Sequence, residues 1–344
     1  MRHLRTRYQP EDGALNARTL VVVTLLCFFV AAAISYPAIT RGDIYDNAMG
    51  GRVGDAAQYI RMAGGAPLAD VARPYRYRVV TPVLARLVPF LPASIAQFYQ
   101  VSPDKIIAFK FGVVNLVGLT IAGVALAAYV RRLGFSGLEG IVAVLLFYTA
   151  FPVVVYGASP LVDAWAYAFL ALGFLCIVTQ AVWPLALVFL LGMLTKETTL
   201  LLLLGIFFLV PVVSGRWRLV AACVPGLLAF LGLRLLLPGG YGYDSGLSTL
   251  LNSLTLLMTP TLRHALILVD LVMAFGFVWW LAWQGWRHPG PQLRPAWQHL
   301  VWLVPVTIIA QLAIDFNFFG RVVFFAFPAI IPLALTGLRH VLTE

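Results

Sequence analysis

Charge is what this sequence has least of. Asp, Glu, Lys and Arg make up 11% of its 344 residues, where ordinary soluble domains carry about 25%. So few ionic groups cannot cover a water-exposed surface, which argues against a soluble enzyme. Hydrophobic residues reach 61%, far too aliphatic for a disordered chain. Cysteine is equally sparse: Cys27, Cys176 and Cys223 each sit in an apolar run. They read as small core residues and not as a disulfide framework or metal ligands. The five histidines lie at positions 3, 264, 288, 299 and 340, too dispersed for a histidine metal cluster or a His-based triad. There is no P-loop, no GxSxG, no HExxH and no CxxC pair. What is present is aliphatic sequence in quantity, with a mean hydropathy of +0.90. The expected class is an integral membrane protein that crosses the bilayer many times.

A span needs about 20 apolar residues. Ten runs qualify as helices: 18–38, 106–130, 138–157, 161–181, 183–195, 197–213, 217–237, 263–286, 299–316 and 319–338. The fifth is short, and a half-length helix is tolerated where it borders a protein-lined cavity. The first run follows Arg2, Arg5 and Arg7 but is long and lacks a clear cleavage context, so it reads as an uncleaved anchor. The fold class expected is all-α: one polytopic helical bundle over 1–344, with about ten spans. Its N-terminal stretch is 1–17, a long outer loop occupies 40–105, and a second outer loop occupies 238–262.

The positive-inside rule orients this threading. With the N-terminus cytoplasmic, the turns on that side receive Arg131 with Arg132, Arg216 with Arg218, Arg287 with Arg294, and Arg339. That side then holds 11 Lys/Arg against 4 Asp/Glu, while the outer side holds 13 against 10. The net charge of +10 is therefore mostly an orientation signal and not a nucleic-acid footprint. Both termini are expected in the cytoplasm, and the polar chemistry is gathered on the outer face.

Within the 40–105 loop, two interfacial helices are expected. Gly54 to Ala63 places Asp55, Tyr59 and Met62 on one face, with Arg61 off it. Val79 to Leu91 is amphipathic around Arg86 and ends at Pro89 and Pro92. The second loop is glycine-rich over 238–246 and leads into an amphipathic stretch near 247–258.

Three features carry candidate chemistry. Asp43, Asp46 and Asp55 follow the first span, interleaved with arginines such as Arg52. They read as a general base kept ionised by neighbouring positive charge. The alternative is a solvated loop with Asp55 as a helix cap. In Tyr75-Arg76-Tyr77-Arg78, alternating rings and guanidinium groups suit a sugar and a phosphate. The alternative is an aromatic belt with snorkelling arginines, strongest for Arg76; Arg78 is the better phosphate ligand. In Leu194-Thr195-Lys196-Glu197-Thr198, one of only three lysines interrupts an apolar stretch. A charge at mid-bilayer costs at least about 2.5–3.5 kcal/mol, so the pair is either functional or a local ion pair in a tight turn. Asp163 opens the fourth span as a substrate contact or a cap. Arg321 meets a phosphate or pairs with Asp315. Asp270 reads as structural, paired with Arg263 or Arg234.

This layout resembles the polytopic GT-C class of glycosyltransferases. Gly54-Asp55-Ala-Ala-Gln-Tyr59-Ile-Arg-Met-Ala63 is similar to an Asp-x-x-x-Tyr-x-x-x-Ala pattern of their outer loop. Gly192-Met-Leu-Thr-Lys196-Glu197 is similar to a turn after a short helix. Arg321-Val-Val-Phe-Phe-Ala-Phe-Pro328 is similar to the Arg-then-Pro pattern of a late span. The chain lacks the C-terminal soluble domain of larger members. The resemblance implies a small bacterial-type enzyme of the inner membrane, with its active face outside. Its donor is a polyprenyl-phosphate-linked sugar, its acceptor a glycan, lipid or protein hydroxyl, and its partners otherwise membrane lipids, with no nucleic acid. Asp55, with Asp43 or Asp46 as fallback, is then the base of an inverting displacement. Arg52, Tyr59, Tyr75, Arg78, Asp163, Lys196, Glu197 and Arg321 are the substrate-binding set. No cofactor is required, although the acidic cluster is compatible with a divalent cation such as Mg or Mn. Two other classes compete. A transporter or flippase predicts polar residues continuing to the cytoplasmic half, and a scaffold predicts free replacement of Asp55, Lys196 and Arg321.

Overall fold

Backbone polar groups find no water in hydrocarbon, so apolar runs of this length fold as helices that satisfy themselves. In the computed structural model, residues 17–41, 54–89, 103–210, 215–237, 247–258, 262–289, 299–314 and 319–344 are described. Among them the chain is predominantly helical, without a β-strand. Helix α1 spans Ala17–Arg41, α2 Asp55–Ala63, α3 Val80–Leu87 and α4 Pro103–Arg132. Next come α5 (Gly137–Tyr148), α6 (Phe151–Tyr156), α7 (Asp163–Thr179), α8 (Val182–Met193), α9 (Leu201–Leu209) and α10 (Arg216–Leu236). The last third holds α11 (Leu247–Leu257), α12 (Leu262–Phe275), α13 (Val278–Arg287), α14 (Leu303–Ile314), α15 (Phe319–Val323) and α16 (Phe327–Thr343).

Among the described residues four helices are long and apolar enough to cross a membrane: Ala17–Tyr36, Pro103–Arg132, Arg216–Leu236 and Gly320–Thr343. A fifth span exists if α12 and α13 are counted together across their 75° bend. That bend falls at Gly276, whose φ of +52° lies in the left-handed region glycine tolerates. The sequence pattern had suggested one continuous helix over 263–286. The 138–157 run is likewise split, ending α5 at Tyr148 and restarting α6 with Pro152 in its first turn. Helix α8 has 12 residues, about 18 Å at 1.5 Å per residue, well short of a hydrocarbon core of about 30 Å.

Helix α4 forms the spine, packing against α1, α7, α5 and α3. Helix α16 packs on α13 through a pair of glycines. A Cβ at Gly285 would overlap the Leu333 carbonyl oxygen, and one at Gly337 would overlap that of Leu281. Small residues permit this backbone contact, the usual means of helix association in lipid. The core beside α16 is aromatic: the Tyr167 ring lies 5.3 Å from Phe324 and 5.1 Å from Phe325, and Phe147 lies 5.1 Å from Phe327. At the far end of α4, Arg339 pairs with Glu139, which also completes a capping box with Ser136 at the start of α5.

Outward-looking apolar side chains are numerous, including Phe29 on α1, Leu235 on α10 and Trp283 on α13. In water they would be a liability; in a bilayer they are the expected lipid-facing surface.

Candidate functional site

Seven charged side chains from distant parts of the chain meet at one end of the bundle. Helix α2 presents Asp55. A 3-10 turn at Tyr75–Tyr77 and the residue after it present Tyr75 and Arg78. The first turn of α7 presents Asp163, and the turn after α8 presents Lys196 and Glu197. The last turn of α10 presents Arg234, and α15 presents Arg321.

Local sequence explains several of these placements. Gly54 occupies the N-cap of α2, so Asp55 falls in the first turn, where its carboxylate is engaged by Tyr75 and Arg321. Gly192 lets the chain fold back after α8: a Cβ there would lie 2.6 Å from Thr199 Cγ2, and its carbonyl accepts the Lys196 N–H at 2.8 Å. Asn115 on α4 donates to the carbonyls of Ser159 (2.7 Å) and Leu161 (3.1 Å), holding the segment that delivers Asp163.

Two ionic groups result. In the first, Asp163 accepts Arg321 Nη2 at 2.7 Å, Arg321 Nε at 3.2 Å and Lys196 Nζ at 2.7 Å. Arg321 Nη1 reaches on to Asp55 Oδ2 at 2.6 Å, while Tyr75 donates to Asp55 Oδ1 at 2.6 Å. The Asp163 side chain is fully buried and that of Asp55 is 21% exposed. In the second, Arg78 Nε and Nη2 hold Glu197 Oε2 at 3.1 and 3.0 Å, and Arg78 Nη1 donates to the Tyr59 hydroxyl at 2.9 Å. Arg234 Nη2 holds Glu197 Oε1 at 3.1 Å. Rings line both groups: Lys196 lies 4.7 Å from the Phe325 centroid, Arg321 5.1 Å from Tyr156, and Tyr59 stands edge-on to Tyr75 at 5.5 Å.

Four cations meet three carboxylates, leaving one positive charge in excess. Burial alone would raise the Asp55 carboxyl. The Arg321 charge and the Tyr75 hydrogen bond outweigh it and hold the group below the usual carboxylate range. Asp55 therefore stays ionised at neutral pH. A carboxylate offers about four lone-pair positions; Tyr75 and Arg321 take two, so it retains capacity to accept a further proton donor.

Of the site residues expected from sequence, Asp55, Tyr59, Tyr75, Arg78, Asp163, Lys196, Glu197 and Arg321 all join this cluster. Asp43, Asp46 and Arg52 lie outside the described residues, as does Asp315. Several alternatives for single residues do not hold. Lys196 and Glu197 form no pair with each other; each is committed elsewhere. Neither Asp55 nor Asp163 caps its own helix. Arg76 does not snorkel: it is 2% exposed, among the largest fully buried side chains. Arg234 pairs with Glu197 and not with Asp270. Sequence reasoning had passed over Arg234 as a site residue, although an arginine in the last turn of an apolar helix was a visible signal.

Among the described residues no group of three or more His, Cys, Asp or Glu is arranged to hold a metal ion, and Asp55 is already engaged by a guanidinium and a phenol. No protein-family model, curated protein or solved structure matches the chain.

Proposed function

We propose that this chain is a membrane glycosyltransferase of the GT-C type, moving a sugar from a polyprenyl-phosphate donor to an acceptor hydroxyl. The observation that carries the reading is the convergence of Asp55, Arg78, Lys196, Glu197, Arg234 and Arg321 on one polar cluster in an otherwise apolar bundle. Ionisable groups within a membrane protein are costly and mark functional sites by default. A cluster with one surplus positive charge, one partly exposed carboxylate and flanking tyrosines offers what such a transfer needs. It has an anion site for the lipid phosphate, a proton acceptor, and rings to pack against a pyranose.

In this scheme the acceptor hydroxyl donates its proton to Asp55 as its oxygen attacks the anomeric carbon. The bond between that carbon and the phosphate oxygen breaks on the opposite face, with inversion. The electron pair leaves with the lipid phosphate, whose charge is met by guanidinium groups already oriented by carboxylates. Asp163 keeps Arg321 and Lys196 in place, and Arg321 and Tyr75 aim Asp55. The reading also takes the ten apolar segments as spans or partial spans of an inner membrane. Both termini face the cytoplasm and the cluster faces outward, in line with the basic residues of the opposite turns.

The test is Asp55→Asn in purified, folded protein, assayed for transfer from polyprenyl-phosphate sugars. A positioned general base contributes about 10²–10⁴-fold, so turnover should fall by at least about 100-fold. Undiminished turnover removes Asp55 from the role, and no transfer by the parent protein from any such donor defeats the reading.

A further inference from the structure

The cations of the cluster are not equivalent. Arg321 spends all three nitrogens on Asp163 and Asp55. Arg78 spends all three on Glu197 and Tyr59. Lys196 is buried against Asp163. The side chains of these three are 6–8% exposed. Arg234 differs on both counts. Its side chain is 37% exposed, and of its three nitrogens only Nη2 donates to a described residue. Its Nε is buried without a hydrogen-bond partner among the described residues. The guanidinium is nonetheless held in place, 4.9 Å from the Tyr77 centroid and 4.4 Å from that of Phe230. Tyr77 in turn donates to the carbonyl of Leu237 at 3.3 Å, fastening the end of α10 to the 3-10 turn.

Such an arginine is pre-organised and unsaturated. The planar fork suits two oxygens of a phosphate, and aromatic stacking fixes it before the ligand arrives. Its one carboxylate partner, Glu197, is shared with Arg78, so this triad carries the surplus positive charge. One surplus charge matches the single negative charge of a phosphodiester. The surroundings favour a lipid source. On α10, Leu228, Leu231 and Leu235 are 64%, 53% and 79% exposed. They recur at i, i+3 and i+7, a stripe adjoining Arg234 along which an isoprenoid chain can lie.

Resting on the proposed transfer reading, we infer that Arg234, and not Arg321 or Lys196, is the residue that first receives the phosphate of a lipid-linked donor. Glu197 holds that position as an internal anion in the ligand-free protein. Arg321 and Lys196 are positioning residues for Asp55.

The experiment measures binding of a polyprenyl phosphate to the full chain in nanodiscs, by native mass spectrometry or tryptophan quenching, with inorganic phosphate as competitor. Losing a charge-assisted bidentate contact weakens affinity by about tenfold or more, so Arg234→Gln should bind at least that much more weakly. Arg234→Lys should fall between it and the parent. Glu197→Gln should bind more tightly, because the competing internal anion is gone; a structural role for Glu197 predicts the opposite sign. Binding by Arg234→Gln equal to the parent overturns the assignment, as does tighter dependence on Arg321→Lys than on Arg234→Gln. Inorganic phosphate displacing the lipid at equal concentration overturns the lipid source. Arg234-dependent binding without any sugar transfer leaves the anion site standing and defeats the transfer reading. Transfer unaffected by Arg234→Gln does the reverse.

Discussion

Asp163→Asn is the most demanding test of the cluster, because it changes one charge and almost no volume. The Asp163 side chain is fully buried, and it is the shared partner of Arg321 and Lys196, whose side chains are 8% and 6% exposed. Replacing the carboxylate by an amide strands two buried cations with a neutral neighbour. Breaking a buried ion pair from one side costs about 3–5 kcal/mol, far more than replacing the whole pair by apolar groups. At roughly 2 °C per kcal/mol for a chain of this size, thermal unfolding in detergent should move down by about 6–10 °C. Asp55→Asn should shift it by less than half as much, since a side chain that is 21% exposed lets water take over part of the lost interaction. A second replacement supplies the internal control. Adding Lys196→Met to Asp163→Asn removes one of the stranded cations and should recover part of the loss. An Asp163→Asn protein that unfolds at the parent temperature, or a double variant less stable than the single one, refutes the reasoning that the ionic groups are dry and mutually dependent.

Two further outcomes follow from the same geometry. Asp55 is held below the usual carboxylate range, so its ionised form persists at neutral and mildly acidic pH. Its contribution is present above the unfolded carboxylate range and fades only as pH falls through the lowered folded value. Tyr75→Phe deletes the Oδ1 donor and should move the acid limb of the kcat/KM profile toward higher pH; a limb that stays or moves lower contradicts the assigned hydrogen bond. Gly337→Leu forces a side chain into the Leu281 carbonyl, where backbone cannot yield. Overpacking costs about 1–3 kcal/mol or more, so the variant should lose folded yield or unfolding temperature, while on the proposed reading the surviving folded fraction binds polyprenyl phosphate as the parent does. Parent-like stability would mean that α13 and α16 are not in backbone contact.

Element positions were legible to a good degree. Each of the ten apolar runs is largely helical over its described residues, with breaks inside 138–157 and 263–286, because the cost of exposing a backbone amide to hydrocarbon is local and depends only on the run. Helix α2 starts at Asp55, as the 54–63 pattern suggested. Continuity was less legible. The α12–α13 bend and the α5–α6 break lie inside uniformly apolar sequence, where hydropathy has no contrast to report. Among the described residues, five of the ten runs, counting the bent pair, are long and apolar enough to cross on their own.

The chemistry shows the same division more sharply. By itself the sequence determined that the chain carries apolar helices compatible with a membrane and which few residues carry charge among them. Both follow from composition and from the free energy of placing each side chain in lipid. It also singled out Asp55, Arg78, Asp163, Lys196, Glu197 and Arg321 as candidate site residues. Their pairing was decided only by the tertiary structure. Lys196 answers Asp163 across 33 residues, Glu197 answers Arg78 across 119, and Asp55 answers Arg321 across 266. An ion pair depends on distance in space, and helix packing sets that distance. For that reason Lys196 and Glu197, adjacent in the chain, belong to different ionic groups, and Arg234 becomes the unsaturated cation only once α10 is docked beside Tyr77.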